Sequence, residues 1–472
     1  MNPGHGLERP AYLAGLYYRG TRYTLMILAY KGWLLKQHVG SKVAGVVGCR
    51  EVGKAMKFVS ASEALERLVS EISVDIGGEI VDVQDAIGRY VYRDYVSKVD
   101  LPPFDRSAVD GVAARFSDIA GASESSPVLL KLVGRVDVDS SDVTSIGRSE
   151  AALVSTGAPI PSGADVVIPL EYCLVRDDLV YLYRTYSRYS NISFRGEDLR
   201  VGDTIVRKGT KLKPWHVATL AASGYDRIEV FRKPRIAVLN TGDEILKRLV
   251  PNTTYYLIAA YIKEMGGEVV YAKVIPDDIE EIAEALRNAL RVSDVAIITG
   301  GTSVGSRDLA PDAVLRLESS REIFRGVRIR PGRTASAYVV NGKPVLLISG
   351  LPVAAYISLE LLLTPILNKA FGSSLEVKPT ISGKLVRRLS NEVGFRSFYR
   401  VIACQDRGEV MIVPLRLTGS GILSTLLKAN AILEIPEDLE GYDEGSKVEV
   451  TLIGPLKECS SIPYLETGSS TE

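Results

Sequence analysis

Residues 294–308 read DVAIITGGTSVGSRD: an apolar run of strand length that gives way to glycines, hydroxyl side chains and a closing carboxylate. The run suits a strand buried on both faces. Its neighbours say what kind of sheet would bury it. Arg235–Leu239 is a second apolar strand candidate; Asn252 caps a helix that runs through Met265 and stops at Gly266 and Gly267. Glu268–Val274 is a strand, Ile279–Arg291 a helix, Lys343–Ile348 a strand, and Val353–Asn368 an apolar helix. Strands recurring at roughly 30-residue spacing with helices between them are the signature of βαβ units, so this region is expected to form a parallel sheet covered on both faces.

In such a sheet ligands sit beyond the carboxyl ends of the strands. The GGTSVG turn stands at such an end. Gly300 and Gly301 let main-chain N–H groups converge, Thr302 and Ser303 add hydroxyl donors, Gly305 keeps the turn tight, and the next helix points its positive end to the same place. The expected guest is an anion, with a simple tight turn as the alternative. The spacing is neither GxxxxGK[ST] nor GxGxxG, which disfavours a P-loop ATPase and a dinucleotide fold. A helix terminus contributes only about 0.3–1 kcal/mol to an anion, against roughly 1.5–3 kcal/mol for a hydrogen bond to a charged group. A multiply charged guest therefore calls for cations, and GVRIRPGR supplies Arg328, Arg330 and Arg333 around a Pro-Gly turn. Asp243, in TGDE after the first strand, and Asp308 stand at the same sheet edge, where two carboxylates beside a phosphate suit Mg²⁺.

The rest of the chain is organised around this domain. With 472 residues it needs about three or four domains. From Val81 to Tyr189 short β-type runs alternate with Ser, Asp and Gly clusters, an all-β region; Pro214–Ser223 reads as a helix ended by Gly224. Past Gly372 the chain turns β-rich again, and a small barrel or sandwich accounts for Ser382–Arg388, Arg400–Ala403, Val410–Pro414, Ala431–Pro436 and Lys447–Leu452. Ser60 and Glu63 form a capping box ahead of Ala64, Leu65, Leu68, Val69 and Ile72. The organised protein is expected to begin near Met56, and residues 1–55 are an extension without an assigned role. The expected partition is 56–84 with 200–232, an inserted β domain over 85–199, the α/β domain over 233–373, a C-terminal β domain over 374–457, and a tail from 458.

Composition excludes several classes. Lys plus Arg equals Asp plus Glu at 57 each, so no global charge recruits nucleic acid or an anionic membrane. No run is expected to reach the roughly 18 apolar residues of a membrane span; Tyr23–Leu35 is read as the nearest candidate, and Lys31 interrupts it. The four cysteines are scattered without CxxC spacing, which argues against a zinc cluster or a disulfide framework and for a reducing cytoplasm. His216 lies in an apolar helical stretch and is expected to pack rather than catalyse.

Six stretches together carry a resemblance: PPFDRSAVDGVA (102–113), STGAPIPSGADVVIPLE (155–171), RGEDLRVGD (195–203), TGDE (241–244), ITGGTSVGSRD (298–308) and IRPGR (329–333). In this order they resemble the molybdopterin molybdenumtransferases, which include the E domain of gephyrin. The resemblance implies a multidomain α/β plus all-β chain: a discontinuous helical segment, an inserted β domain, a molybdopterin-binding α/β domain and a C-terminal β domain. It also implies a homodimer, with the molybdopterin adenylyltransferase as a further partner. The implied activity takes adenylylated molybdopterin and molybdate, with tungstate as a near-identical alternative, releases AMP, and uses Mg²⁺. Carried over by position, Asp110, Thr156, Asp198, Glu229 and Asp243 would be catalytic, the first four facing the α/β pocket of a second subunit. Asp243 and Asp308 would hold metal. Arg330 and Arg333 would hold pterin phosphate or molybdate, with Arg400 and Ser420 at looser matches. The chain departs from the usual pattern with Arg330 and Arg333 where lysines are common, Arg106 where asparagine is common, and GLPVAA (350–355) where the family has a longer loop. These changes keep open a second reading, a dimeric scaffold that binds the pterin without turning it over.

Overall fold

The computed structural model describes residues 58–140, 145–300, 309–373, 378–415 and 419–462. The chain divides into two compact units, Met1–Ala55 and Met56–Glu472, and the architecture below is that of the second. Tyr23–Leu35 and the end of the tail lie outside the described residues.

The unit opens on helix α1 (Ala61–Glu71), where the Ser60 hydroxyl accepts the Glu63 N–H at 3.1 Å and Ala61, Ala64 and Leu68 face inward. Strand β1 (Gly78–Asp82) follows and waits for a distant partner. The inserted sheet then forms from β2 (Gly111–Ala114), β3 (Val128–Val136), β4 (Glu150–Val154), β5 (Val166–Pro169), β6 (Cys173–Arg176) and β7 (Leu179–Leu182), in the order β5-β2-β4-β3-β7-β6. After it come helix α2 (Pro214–Ala222) and β8 (Arg227–Phe231), which pairs antiparallel with β1 across nearly 150 residues of sequence, Gly78 opposite Phe231. The His216 Nδ1 accepts the Lys213 N–H at 3.1 Å, so this histidine caps α2.

The α/β region contains β9 (Arg235–Thr241), α3 (Thr253–Glu264), β10 (Glu268–Ile275), α4 (Ile279–Val292), β11 (Val295–Thr299), β12 (Ser320–Arg325), β13 (Ile329–Arg330), β14 (Ser336–Val340), β15 (Lys343–Ile348) and α5 (Pro352–Phe371). Its sheet runs β10-β9-β11-β15-β14-β12. Alternate residues of the central strands enter two separate cores: Ile236, Val238, Val295, Ile297 and Leu346 on one face, Ala237, Leu239, Ala296, Ile298 and Leu347 on the other. That division is the physical reason for their uninterrupted apolar sequences, because period 2 with both faces buried leaves no place for a polar residue. One expectation needs correction. The sheet is mixed, since β14 runs antiparallel to β15 and β12 antiparallel to β14. Strand β12 (SREIFR) is an edge strand with exposed Arg321 and Glu322, so its polarity reads as surface rather than as sheet.

Helix α5 is long and apolar enough to pass for a membrane span by composition, but two thirds of its apolar window (67%) is buried inside the fold, and it serves as the core helix. Its middle turn, Leu359–Leu363, is π-helical.

The C-terminal region is a closed barrel of β16 (Thr380–Leu385), β17 (Arg396–Asp406), β18 (Glu409–Pro414), β19 (Ala431–Ile435) and β20 (Lys447–Leu452), with β21 (Lys457–Glu458) added outside. Strand β17 closes it: residues 397–401 pair with β19, and residues 401–406 pair with β18. Asn430 sews the seam, accepting the Ala403 N–H at 2.8 Å and donating to the carbonyls of Ala403 at 2.8 Å and Pro455 at 2.9 Å.

The cysteine reading is also corrected. Cys404 on β17 and Cys459 just past β21 form a disulfide although 55 residues separate them. Linear spacing hides the pair, and only the parallel pairing of β21 with β17 brings their Cα atoms to 5.0 Å. Cys173 is free, and burial pushes its thiol up to about 12, which makes it inert at neutral pH. Closing a loop of that length stabilises by on the order of 4 kcal/mol on the chain-entropy account. We expect Cys459→Ser to lower the denaturant midpoint of the barrel by an amount equivalent to about 2–4 kcal/mol without reductant. Wild type in strong reductant should unfold at the same midpoint as the variant, read by barrel-specific hydrogen exchange.

Candidate active site

Three strand ends meet at the carboxyl edge of the α/β sheet. Gly300 follows β11 with φ +89°, and a Cβ there would lie 2.3 Å from the Thr241 carbonyl oxygen, so both the backbone conformation and the space require glycine. Gly350, after β15, packs against it in ordinary contact, its built Cβ 3.6 Å from the Gly300 Cα. Thr254 Oγ1 donates to the Gly350 carbonyl at 2.6 Å and Thr299 Oγ1 to the Ser349 carbonyl at 3.3 Å, which fixes this edge. The Thr241 hydroxyl is buried with no hydrogen-bond partner among the described residues. A buried polar group left unpaired costs about 1–3 kcal/mol, and this one stands at the strand-end edge beside Gly300. Gly301, Thr302, Ser303, Gly305 and Asp308 lie outside the described residues.

Asp243 opens a short helix, Asp243–Leu246, directly after β9. Its carboxylate receives Lys247 Nζ at 3.2 Å and the Asp277 N–H at 3.4 Å and remains half exposed. Among the described residues no group of three or more His, Cys, Asp or Glu is arranged to hold a metal ion.

Next to this edge a second pocket opens against the barrel. The turn after β12 leaves the α/β sheet, and β13 joins the barrel instead, Arg330 opposite Ser397 on β17. Gly332 packs against α5, where a Cβ would meet Ser358 Oγ at 3.0 Å. The Ser420 carbonyl accepts the Val353 N–H of the α5 N-terminus at 3.0 Å, so the Ser420 loop is tied to the GLPVAA turn. The result is a cavity of ≈ 310 Å³ lined by Arg330, Asn391, Glu392, Tyr399, Arg400 and Ser420 among others. Sequence reading proposed Arg330, Arg400 and Ser420 from three distant stretches, and the structure brings them to one pocket. Arg333 is exposed and does not line it. Asn391, Glu392 and Tyr399 were not anticipated; a polar SNE turn carries no signal of its own.

Arg400 dominates the pocket. Its residue is 4% exposed. Nη1 donates to the Phe398 carbonyl at 3.0 Å and Nε to Thr425 Oγ1 at 3.3 Å, while Nη2 is buried with no hydrogen-bond partner among the described residues. Among the described residues no carboxylate is ion-paired with it, and desolvation pulls its pKa below the ordinary arginine value. A buried guanidinium that keeps its charge needs an anion, and its fork suits a tetrahedral oxyanion. A larger groove of ≈ 560 Å³ lies between α1, α5 and the barrel, but there Lys378 is paired with Glu360, and Arg396 with Glu434 and Glu437 at 3.1 and 2.7 Å. Size is therefore a poor guide: the smaller cavity holds the unanswered cation.

The remaining proposed residues lie in the first half of the chain. Asp110 precedes β2 and accepts the Thr156 N–H at 2.6 Å and the Thr156 hydroxyl at 3.0 Å. These two bonds, the backbone one first, hold the Asp110 pKa below the usual carboxylate range. Beside them Ser155 and Arg135 hydrogen-bond Asp137, depressing its pKa in the same way. Asp198 is exposed. Glu229 on β8 lies 3.6 Å from Arg93, and its N–H donates to Tyr95 Oη at 2.6 Å.

This three-part arrangement of an inserted sheet, a ligand-edge α/β sheet and a barrel has recognisable relatives. Residues 59–224 match the profile "MoeA N-terminal region (domain I and II)", residues 237–369 match "Probable molybdopterin binding domain", and residues 382–453 match "MoeA C-terminal region (domain IV)". The class is thus that of proteins of molybdenum cofactor biosynthesis. A protein of Methanocaldococcus jannaschii named for molybdopterin biosynthesis is 32% identical over 388 residues, 79% of this chain and 92% of that one. The molybdopterin molybdenumtransferase of Staphylococcus epidermidis is 29% identical over 401 residues, 84% of this chain and 95% of that one. The crystal structure of a MoeA molybdopterin biosynthesis protein from Pyrococcus horikoshii OT3 superposes with a TM-score of 0.72 at 32% identity, covering 84% of this chain and all of that one. The chain belongs to the MoeA family.

Two outcomes follow for the site. Gly300→Ala should destabilise the α/β region by about 2 kcal/mol or more in urea unfolding, because the φ and the Thr241 carbonyl both oppose a Cβ. Thr156→Ala should raise the Asp110 pKa toward that of an ordinary aspartate, read by carboxyl ¹³C titration. Because the folded pKa is the lower one, the stabilisation from these bonds is present above the unfolded pKa and is lost as pH falls through the folded value.

Proposed function

We propose that the chain is a molybdopterin molybdenumtransferase: it inserts molybdate, or tungstate, into adenylylated molybdopterin and releases AMP. The observation that carries this is the buried, unpartnered Nη2 of Arg400 in a cavity shared with Arg330 and Ser420. In this reading that cavity holds the tetrahedral oxyanion, with Arg400 donating from a desolvated site and Arg330 and Ser420 from its rim. Charge-assisted bonds in such a site are short and strong, which suits selection of a dianion.

The pterin phosphate is assigned to the glycine edge at Gly300, Gly301, Thr302, Ser303 and Gly305, with the free Thr241 hydroxyl beside it. Mg²⁺ fits this edge in the limited sense that Asp243 is half exposed and at a strand end, and Mg²⁺ accepts one or two carboxylates when phosphate and water supply the other ligands. Asp243 and Asp308 would hold it, and it would neutralise charge on the phosphoanhydride as that bond breaks. For Asp243 to serve, Lys247 must release its oxygen.

Asp110, Thr156, Asp198 and Glu229 are assigned to the same reaction from a second copy of the chain. Supporting this is the exposure of Asp110, Thr156 and Asp198 and the partial exposure of Glu229, together with contacts confined to their own half of the chain. A homodimer in the cytoplasm, receiving its substrate from the adenylyltransferase, completes the reading. Incubation of the protein with Mg²⁺, molybdate and adenylylated molybdopterin should release AMP in proportion to molybdate. Arg400→Gln should lower that rate roughly ten- to a hundredfold, the loss of one hydrogen bond to a charged group. Removal of divalent metal with EDTA should abolish it. AMP release that ignores molybdate, or that Arg400→Gln leaves intact, would dismiss the assignment.

A further inference from the structure

The pocket that carries Arg400 also contains a carboxylate of its own, which an oxyanion site should not want. Glu392 Oε2 is ion-paired with Arg330 Nη2, the same fork assigned above to the oxyanion. The Arg330 guanidinium carbon lies over the Phe395 ring, 4.7 Å from its centroid, a cation–π contact that helps hold this side chain at the pocket. Glu392 stands in the turn between β-type residues 389–390 and β17. The backbone of that turn is held firmly: Asn391 Nδ2 donates to the carbonyls of Phe395 at 2.9 Å, Pro436 at 3.1 Å and Leu439 at 3.0 Å, and the Gly394 N–H donates to the Glu437 carbonyl at 2.7 Å. The turn cannot carry Glu392 away. Its side chain can, because 55% of it is exposed.

We propose that Glu392 is a placeholder for the oxyanion. It occupies Arg330 while the pocket is empty, rotates into solvent when a dianion arrives, and returns as the dianion leaves for its acceptor. Charge supports this order. With Glu392 inside, Arg330, Arg400 and Glu392 sum to one positive charge; with it outside, the two guanidiniums match a dianion. The strength of the pair is also suited to exchange. An ion pair as exposed as this one is a weak contact, so a dianion gripped by two forks displaces it, and the carboxylate still lowers the cost of uncovering Arg330 on release. Arg400, deeper and unpaired, is the permanent half of the site, and Arg330 with Glu392 the exchangeable half. Glu392 is accordingly a positioning residue, acting through Arg330.

The inference rests on the oxyanion reading of the pocket, and one set of titrations separates the two. Tungstate is titrated calorimetrically into the full chain: wild type, Glu392→Gln, Glu392→Asp, Arg330→Gln and the Glu392→Gln/Arg330→Gln double variant, with Arg400→Gln as the control. Glu392→Gln should bind tungstate about threefold to tenfold more tightly than wild type, and Glu392→Asp should stay near wild type. In the Arg330→Gln background the same substitution should change affinity less than about twofold, since the competition it relieves has gone. In the AMP assay Glu392→Gln should lower KM for molybdate and lower kcat with it, the mark of a site that holds too long. Wild type that takes up no tungstate overturns the oxyanion reading. Wild type that binds through Arg400 while Glu392→Gln binds equally or less well overturns the placeholder alone. A gain of equal size with and without Arg330 also overturns it, because the carboxylate would then act only as a nearby negative charge.

Discussion

Strand β17 is hydrogen-bonded along both edges to partners that change partway along it, and Arg400 sits where they change. Residues 397–401 pair with β19 and residues 401–406 with β18, which closes the barrel. At the same strand's start β13 brings in Arg330 from the α/β region, and at its end β21 brings in Cys459. A guanidinium pointed from the middle of a strand so thoroughly paired cannot retreat to solvent. The cost of burying Arg400 is therefore imposed by backbone geometry, and the fold leaves its Nη2 without a partner among the described residues.

The two halves of the site are tied together at three close contacts. The Ser420 carbonyl caps the first turn of α5, the Gly332 turn presses on Ser358 of the same helix, and Gly350 at the helix entrance lies against Gly300. Each tie involves a residue without room for a larger side chain, or a backbone group. A change in the GLPVAA turn would thus be felt both at the glycine edge and at the Arg400 pocket. The shortening of this turn relative to the family pattern has not separated the two, since Gly350 and Val353 still make these contacts.

On the proposed reading, a permanent and an exchangeable cation give the pocket a direction. Arg400 is desolvated and held by Phe398 and Thr425, while Arg330 is at the rim, stacked on Phe395 and shared with Glu392. A buried charge discriminates strongly and exchanges poorly, whereas a rim charge does the reverse. A transferase needs both properties, because its oxyanion must be selected and then surrendered.

The sequence by itself determined the parts whose physics is local. Lys343–Ile348 and Lys447–Leu452 were legible as strands to their last residue, because apolar runs or alternation bounded by turn residues specify them. The caps at Ser60 and Asn252 were legible because capping is a contact over three residues. Gly300 was legible as a glycine turn at a strand end. Order and spacing of six stretches were sufficient for the family. Only the tertiary structure decided what depends on residues far apart in the chain. The antiparallel edge β12–β14 was hidden because an edge strand need not alternate, and the Cys404–Cys459 bond because 55 residues separate its ends. The convergence of Arg330, Arg400 and Ser420, the exposed position of Arg333, and the pairing of Arg330 with Glu392 all depend on β13 leaving one sheet to join another. No local pattern encodes that, since strand pairing is fixed by which edge is free once the whole barrel has closed.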